Sequence, residues 1–169
     1  MQRVTKGTGT DFTNVEQALT SSFLPALFGD TFEDDDPIRA LASLPVKYAG
    51  LGLPNPMETG ASNYDSSILI CDHLLSAFRR VDTTFNTVSH RTTVSAARSE
   101  LRTRNSERHD STLQSIVRNL PLSKQRTILR GGSTGQWLSV KPTLISGTLL
   151  SAQEFRDSLH LRYAHTPPG

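Results

Sequence analysis

The stretch Tyr64-Asp65-Ser66-Ser67-Ile68-Leu69-Ile70-Cys71-Asp72-His73-Leu74-Leu75-Ser76-Ala77-Phe78-Arg79-Arg80-Val81 decides the fold class. Tyr64, Ile68, Cys71, Leu75 and Phe78 recur at i, i+4, i+7, i+11 and i+14, a spacing that places them on one face of a helix. Leu74 and Val81 widen the stripe, and Arg79 and Arg80 suit the negative pole of the helix dipole. The stripe is expected to be buried, with Cys71 on it as a small core residue.

Beyond this helix, residues 91–119 read as a second long one. Val94, Ala97 and Leu101 open an apolar stripe, and Leu113, Ile116, Val117 and Leu120 close it. Between them lies only polar sequence, including Arg102, Arg104, Glu107, Arg108, His109 and Asp110. That portion is either a solvated helix or a break between two. The pair predicts a helical hairpin over 57–120.

On the N-terminal side, residues 1–12 are polar and read as loose. Thr13 and Glu16 have capping-box spacing, and Val15, Leu19 and Phe23 follow at helical intervals. Pro25 ends or kinks that helix and Gly29 stops it. Asp36 and Pro37, after the acidic run from Glu33, suit an N-cap and first helical residue for a short helix burying Ile38, Leu41 and Ala42. Turn chemistry from Gly50 to Pro56 closes a helical segment over 13–56.

On the C-terminal side, Ser123 can cap a short helix through Arg130, with Gly131-Gly132 as its stop. One or two short strands are plausible within 133–150. Ser151 and Glu154 form the strongest start signal in the chain, with Leu150 able to staple against Phe155 and a stripe of Phe155, Leu159 and Tyr163 behind it. Pro167-Pro168-Gly169 stops this last helix, so 121–169 reads as helix-loop-helix. The expected fold is mainly α: a helical bundle with a hairpin and a short irregular or β-containing insert near 133–150.

Composition narrows the function classes. The hydrophobic fraction of 36% lies below the usual ~45–50%, so the core should be thin. No apolar run is long enough to span a membrane, and no apolar h-region follows Met1. The lone cysteine forms no internal disulfide and no Cys-rich zinc site, which suits an intracellular chain, in cytoplasm or nucleus. The net charge of +2 hides a segregation. Residues 1–76 hold four Lys/Arg against ten Asp/Glu, a net of −6, and residues 77–169 hold fourteen against six, a net of +8. The basic part either meets an anionic partner or attracts the acidic part.

No convergent acid, base or nucleophile set appears in the sequence. The carboxylates at 33–36 precede a Pro-started helix and read as a solvated cap cluster, not as metal ligands. His73, His90, His109, His160 and His165 show no metal-ligand pairing and read as surface residues. Gly131-Gly132-Ser133-Thr134-Gly135 lacks the Walker lysine, so it is a flexible turn or a weak backbone phosphate cradle. Lys124, Arg126 and Arg130 form a basic cluster followed by Trp137, which either stacks on a base or belongs to the core. No catalytic residue, metal or cofactor is expected.

Leu44-Pro45-Val46-Lys47-Tyr48-Ala49-Gly50-Leu51-Gly52-Leu53-Pro54-Asn55-Pro56 resembles the "LP…GGLGI..P" segment that follows the palm in reverse transcriptases of non-LTR and related retroelements. Phe23-Leu24-Pro25-Ala26-Leu27 is similar to the end of a thumb-region helix there. Gly135-Gln136-Trp137-Leu138 followed by Glu154-Phe155-Arg156-Asp157-Ser158-Leu159-His160-Leu161-Arg162-Tyr163 resembles a "…WL…P…FRDALRLRYG…PP" segment of some of these polyproteins. The likeness covers roughly 20–56 and 130–168, and Ala49 stands where the pattern usually has Gly. The Tyr-x-Asp-Asp carboxylates of the palm are absent, so polymerase activity is not carried over. A Cys/His-rich stretch would follow residue 169 in such an element, and the chain reads as a truncated or decayed copy. The resemblance implies a non-catalytic accessory part contacting RNA or an RNA–DNA duplex and the missing polymerase palm domain. The residues expected to hold nucleic acid are Arg79, Arg80, Lys124, Arg126, Arg130, Trp137 and Lys141. The alternative is a helical protein-interaction module, with residues 91–119 docking a partner.

Overall fold

The side chains of Asn55, Asn86 and Ser151 cap three of the helix starts. The structure, a computed structural model, describes residues 2–29, 37–79 and 85–164, the His73 side chain excepted. The proposed Asp36 cap, the acidic run at 33–36, Val81 and the Pro-Pro-Gly stop lie outside these. Among the described residues there are seven α-helices and no strand, so the mainly α expectation holds and the short strands within 133–150 do not form. The chain divides into two compact units, Met1–Thr13 with Asn55–Arg108 and Asn14–Pro54 with His109–Gly169.

In the first unit, residues 2–12 are folded as turns and a short 3-10 helix, Thr10–Phe12. The Gln2 side chain donates to the Pro56 carbonyl at 2.6 Å and accepts from Asn63 at 2.8 Å, and Thr8 is buried. The Thr13 hydroxyl donates to the Thr10 carbonyl, so it does not cap a helix at that position. Helix α4 (Pro56–Arg79) starts where the Asn55 side chain accepts from the Met57 N–H. Helix α5 (Thr87–Arg118) starts four residues earlier than the apolar pattern indicates. There the Asn86 carboxamide accepts from the N–H groups of both Val88 and Ser89 at 3.0 Å. It runs unbroken through the polar middle.

The α4 stripe is helical, but it is not buried as expected. Ile68 is 41% exposed and Phe78 73%, Leu75 is also exposed, and Cys71 is half-buried. The cause is geometric. Tyr64, Asp65, Ile68 and Leu69 of α4 and Thr93 and Ala97 of α5 line a hollow of about 700 Å³, so the two helices leave space where a core would be. Ala97 is the one buried apolar side chain of this unit among the described residues.

The second unit holds the core. Helix α1 (Thr13–Ala18) passes through a π turn (Leu19–Phe23) into α2 (Leu24–Phe28). The widened turn comes just before Pro25, which has no N–H to offer the preceding turn. The Glu16 carboxylate is not a capping group. It takes a two-point ion pair from Arg39 at 2.6 and 2.7 Å, and Arg39 also donates to the Leu53 carbonyl. Arg39 lies on α3 (Ile38–Ser43), whose Ile38, Leu41 and Ala42 are buried with Leu24, Phe28, Leu113, Val117, Ile128, Leu159 and Tyr163. Leu159 is fully buried, which for a leucine contributes about 1.5–3 kcal/mol.

Helix α6 (Leu122–Thr134) runs straight through Gly131-Gly132, contrary to the expected stop, and continues as a 3-10 helix, Gly135–Ser139. These glycines are contact points. A Cβ on Gly132 would come within 2.8 Å of the Lys47 carbonyl oxygen, and one on Gly135 would overlap the Arg162 guanidinium.

Helix α7 (Ala152–Tyr163) has the capping box its sequence indicates: the Glu154 N–H donates to Ser151 Oγ, and the Ser151 N–H donates to the Glu154 carboxylate at 2.7 Å. The backbone hydrogen bond from Ser151, then the one from its side chain, holds the Glu154 carboxyl below its usual range. A carboxyl depressed in the folded state stabilises above its unfolded titration range, and that contribution disappears as pH falls through the folded value. Ser151→Ala should cost about 1 kcal/mol. The difference between wild type and Glu154→Gln in thermal melts should shrink toward zero as pH is lowered from 7 to 3.

Candidate nucleic-acid interface

The two family-like strings form the centre of the second unit. Val46–Tyr48 is a 3-10 turn, and Ala49 after it is left-handed at φ 65°. That conformation costs a residue with a side chain roughly 1–2 kcal/mol, and it explains why glycine suits this place. Arg162 on α7 is buried. Its guanidinium donates to the carbonyls of Gly131, Val46 and Gly50. Tyr163 donates its hydroxyl to the Ala49 carbonyl at 2.8 Å. Burial pushes the Tyr163 phenol above its usual range and outweighs the lowering by Arg162, so the hydroxyl stays a donor. The side chains of the later string therefore bind the backbone of the earlier one.

On α6, Arg126 and Arg130 are exposed and one turn apart, within about 40° of each other. Lys124 is half-buried and lies on the side of Ile128, roughly 160° from Arg126. The basic cluster is thus a pair plus an outlier. Lys141 is exposed in the irregular stretch after the 3-10 helix. Trp137 is half-buried, edge-to-face with Phe155 at 5.6 Å. With Leu27, Leu138, Leu149 and Leu150, these rings line an apolar hollow of about 530 Å³. Trp137 is part of this wall, not a free platform for a base. The Gly131–Gly135 stretch is likewise no open phosphate cradle, because Lys47, Ala49 and Arg162 pack against it.

Arg79 belongs to the first unit, exposed at the end of α4. Arg80 lies outside the described residues. Within the second unit the structure brings together Arg126 and Arg130, with Lys124 on another side of α6 and Trp137 in the wall of the hollow. A further set escaped the sequence reading. Arg91, Arg98 and Arg102 are exposed on α5 and line one hollow with His90, Val94 and Ser95. Their i, i+7, i+11 spacing is the signal that marks them.

His160 is a correction to the surface reading of the histidines: it is 1% exposed, with its ring edge-on to Phe28. His90 is half-buried with its ring near Phe85, and His109 is half-buried near Tyr48. Among the described residues no three His, Cys, Asp or Glu side chains gather as a metal site, and no helix is long and apolar enough to cross a membrane. Comparison with protein-family models, curated proteins and solved structures gives no match.

Proposed function

We propose that this chain is a non-catalytic accessory part of a retroelement reverse transcriptase that contacts template or primer nucleic acid. The observation that carries the reading is the pair Arg126 and Arg130, exposed one turn apart on α6 with no ion-pair partner among the described residues. Guanidinium groups so placed neutralise backbone phosphates and release counterions, which gives affinity without base recognition. The sequence resemblance supplies the context, and the interlocking of its two strings explains why both accompany a single helical unit.

The test is binding of the full chain to an RNA–DNA duplex across a salt series. Binding should weaken with salt, and the Arg126→Gln/Arg130→Gln double variant should reduce the log–log salt slope by about 2, close to one per lost phosphate contact. Lys124→Gln should change it little. No binding at low salt, or binding without a salt slope, overturns the reading.

A second reading, a protein-interaction module, is favoured by the 140–150 stretch. There Leu144 is 83% exposed and Ile145 fully so, beside the apolar hollow. It requires that the Arg126/Arg130 variant leave partner binding intact.

A further inference from the structure

We infer that the row Arg91, Arg98 and Arg102 on α5 is a second contact for the phosphate backbone of a nucleic-acid strand. This rests on the nucleic-acid reading above but uses the other structural unit and none of the same residues.

The row is straight. At 3.6 residues per turn the three Cα atoms fall within about 40° of one another around the helix, and eleven residues span about 16 Å along it. All three side chains are exposed, and Ser95 adds a hydroxyl between the first two. The acidic residues of this part of the helix point elsewhere. Glu100 and Glu107 lie roughly 160–180° from the row, and Glu100 is held by Arg104 at 2.7 Å. Asp65 and Asp72 of α4 line the hollow on the Thr93 and Ala97 side of α5, away from the row. Like charges repeated along one face repel, and no carboxylate of the described residues pairs with these three.

The shape of the row selects its ligand. Arg91 and Arg98 are about 10 Å apart along the axis, too far for one small anion to satisfy both. Arg98 and Arg102 are one turn apart and can share a phosphate. A linear polyanion with regularly spaced charges meets all three. The cations of α5 are all arginine, with no lysine from Thr87 to Arg118. A planar fork of donors suits phosphate oxygens better than a lysine's point charge.

The experiment uses the full chain and the same RNA–DNA duplex salt series. Arg91→Gln/Arg98→Gln/Arg102→Gln should lower the salt slope by about 2 to 3. The corresponding triple lysine variant should keep most of it, and circular dichroism should show unchanged helicity in both. If wild type binds with a salt slope that the Arg126/Arg130 variant reduces but the row variant does not, the row assignment falls and the broader reading stands. If wild type shows no salt-dependent binding, both fall. If a poly-glutamate peptide binds more tightly than the duplex and loses that binding on the same substitutions, the row serves an acidic protein and the nucleic-acid assignment is overturned.

Discussion

Arg162→Met should lower the stability of the second unit by about 3 kcal/mol, a drop of roughly 12–24 °C in its melting midpoint. Trp137, the single tryptophan, lies in that unit and reports its unfolding by fluorescence. The native guanidinium is buried and bridges three carbonyls from separate segments: Val46, Gly50 and Gly131. Two effects compete on substitution. Removing a buried cation relieves its desolvation, which can amount to several kcal/mol. Against that, buried carbonyls lose their donor at about 1–3 kcal/mol each. Val46 keeps the Ala49 N–H as a partner at 3.0 Å, so it bears less of the loss. Methionine also abandons the site beside Gly131 and Gly135 that the guanidinium fills. The second effect should win because the three acceptors are fixed backbone and cannot turn to water. Arg162→Lys should recover part of the loss, since one ammonium cannot reach three divergent carbonyls. A midpoint for Arg162→Met within 2 °C of wild type would show that these bonds do not hold the unit together.

Gly50→Ala should be at least as damaging, about 3 kcal/mol or more. A Cβ at this position would overlap the Leu44 carbonyl and come within 2.7 Å of the Leu41 carbonyl oxygen. Both belong to backbone, so no side chain can swing away. Relief would require moving the turn whose N–H groups at Gly50, Gly52 and Leu53 bind Pro45, Leu44 and Ala42. Soluble expression with an unaltered urea midpoint would refute the tight approach. Gly52→Ala tests a different effect: that glycine has φ 72° with open space around it, so it should lose only the cost of its left-handed backbone.

What the sequence made legible was local. Ser151 and Glu154 lie three residues apart and satisfy each other, so their spacing alone located α7. The α4 period identified a helix correctly, because periodicity reports which side chains share a face. It does not report whether anything covers that face, and Ile68 and Phe78 remain exposed. The glycines of α6 were misread for a related reason. Their requirement comes from Lys47, 85 residues from Gly132, and from Arg162, 31 residues from Gly131, and no local rule sees such partners. His160 is hidden in the same way, by Phe28 across the core. In the candidate interface, Arg126 and Arg130 were legible only as members of a basic cluster with Lys124, which the helix turns to another side. The α5 row was also present in the pattern, but its arginines were passed over because they sit among polar neighbours.

The continuity of α5 bears on how the arginine row persists. Starting a helix is the costly step, whereas adding a residue to an existing end is nearly free or mildly favourable. Leu113 and Val117, buried in the second unit, anchor the last turns of α5. The turns bearing Arg102, Arg98 and Arg91 can then be added in sequence from that seed, with little burial of their own. Melting should therefore proceed as fraying from the Thr87 end, and the three guanidiniums would come out of register one after another.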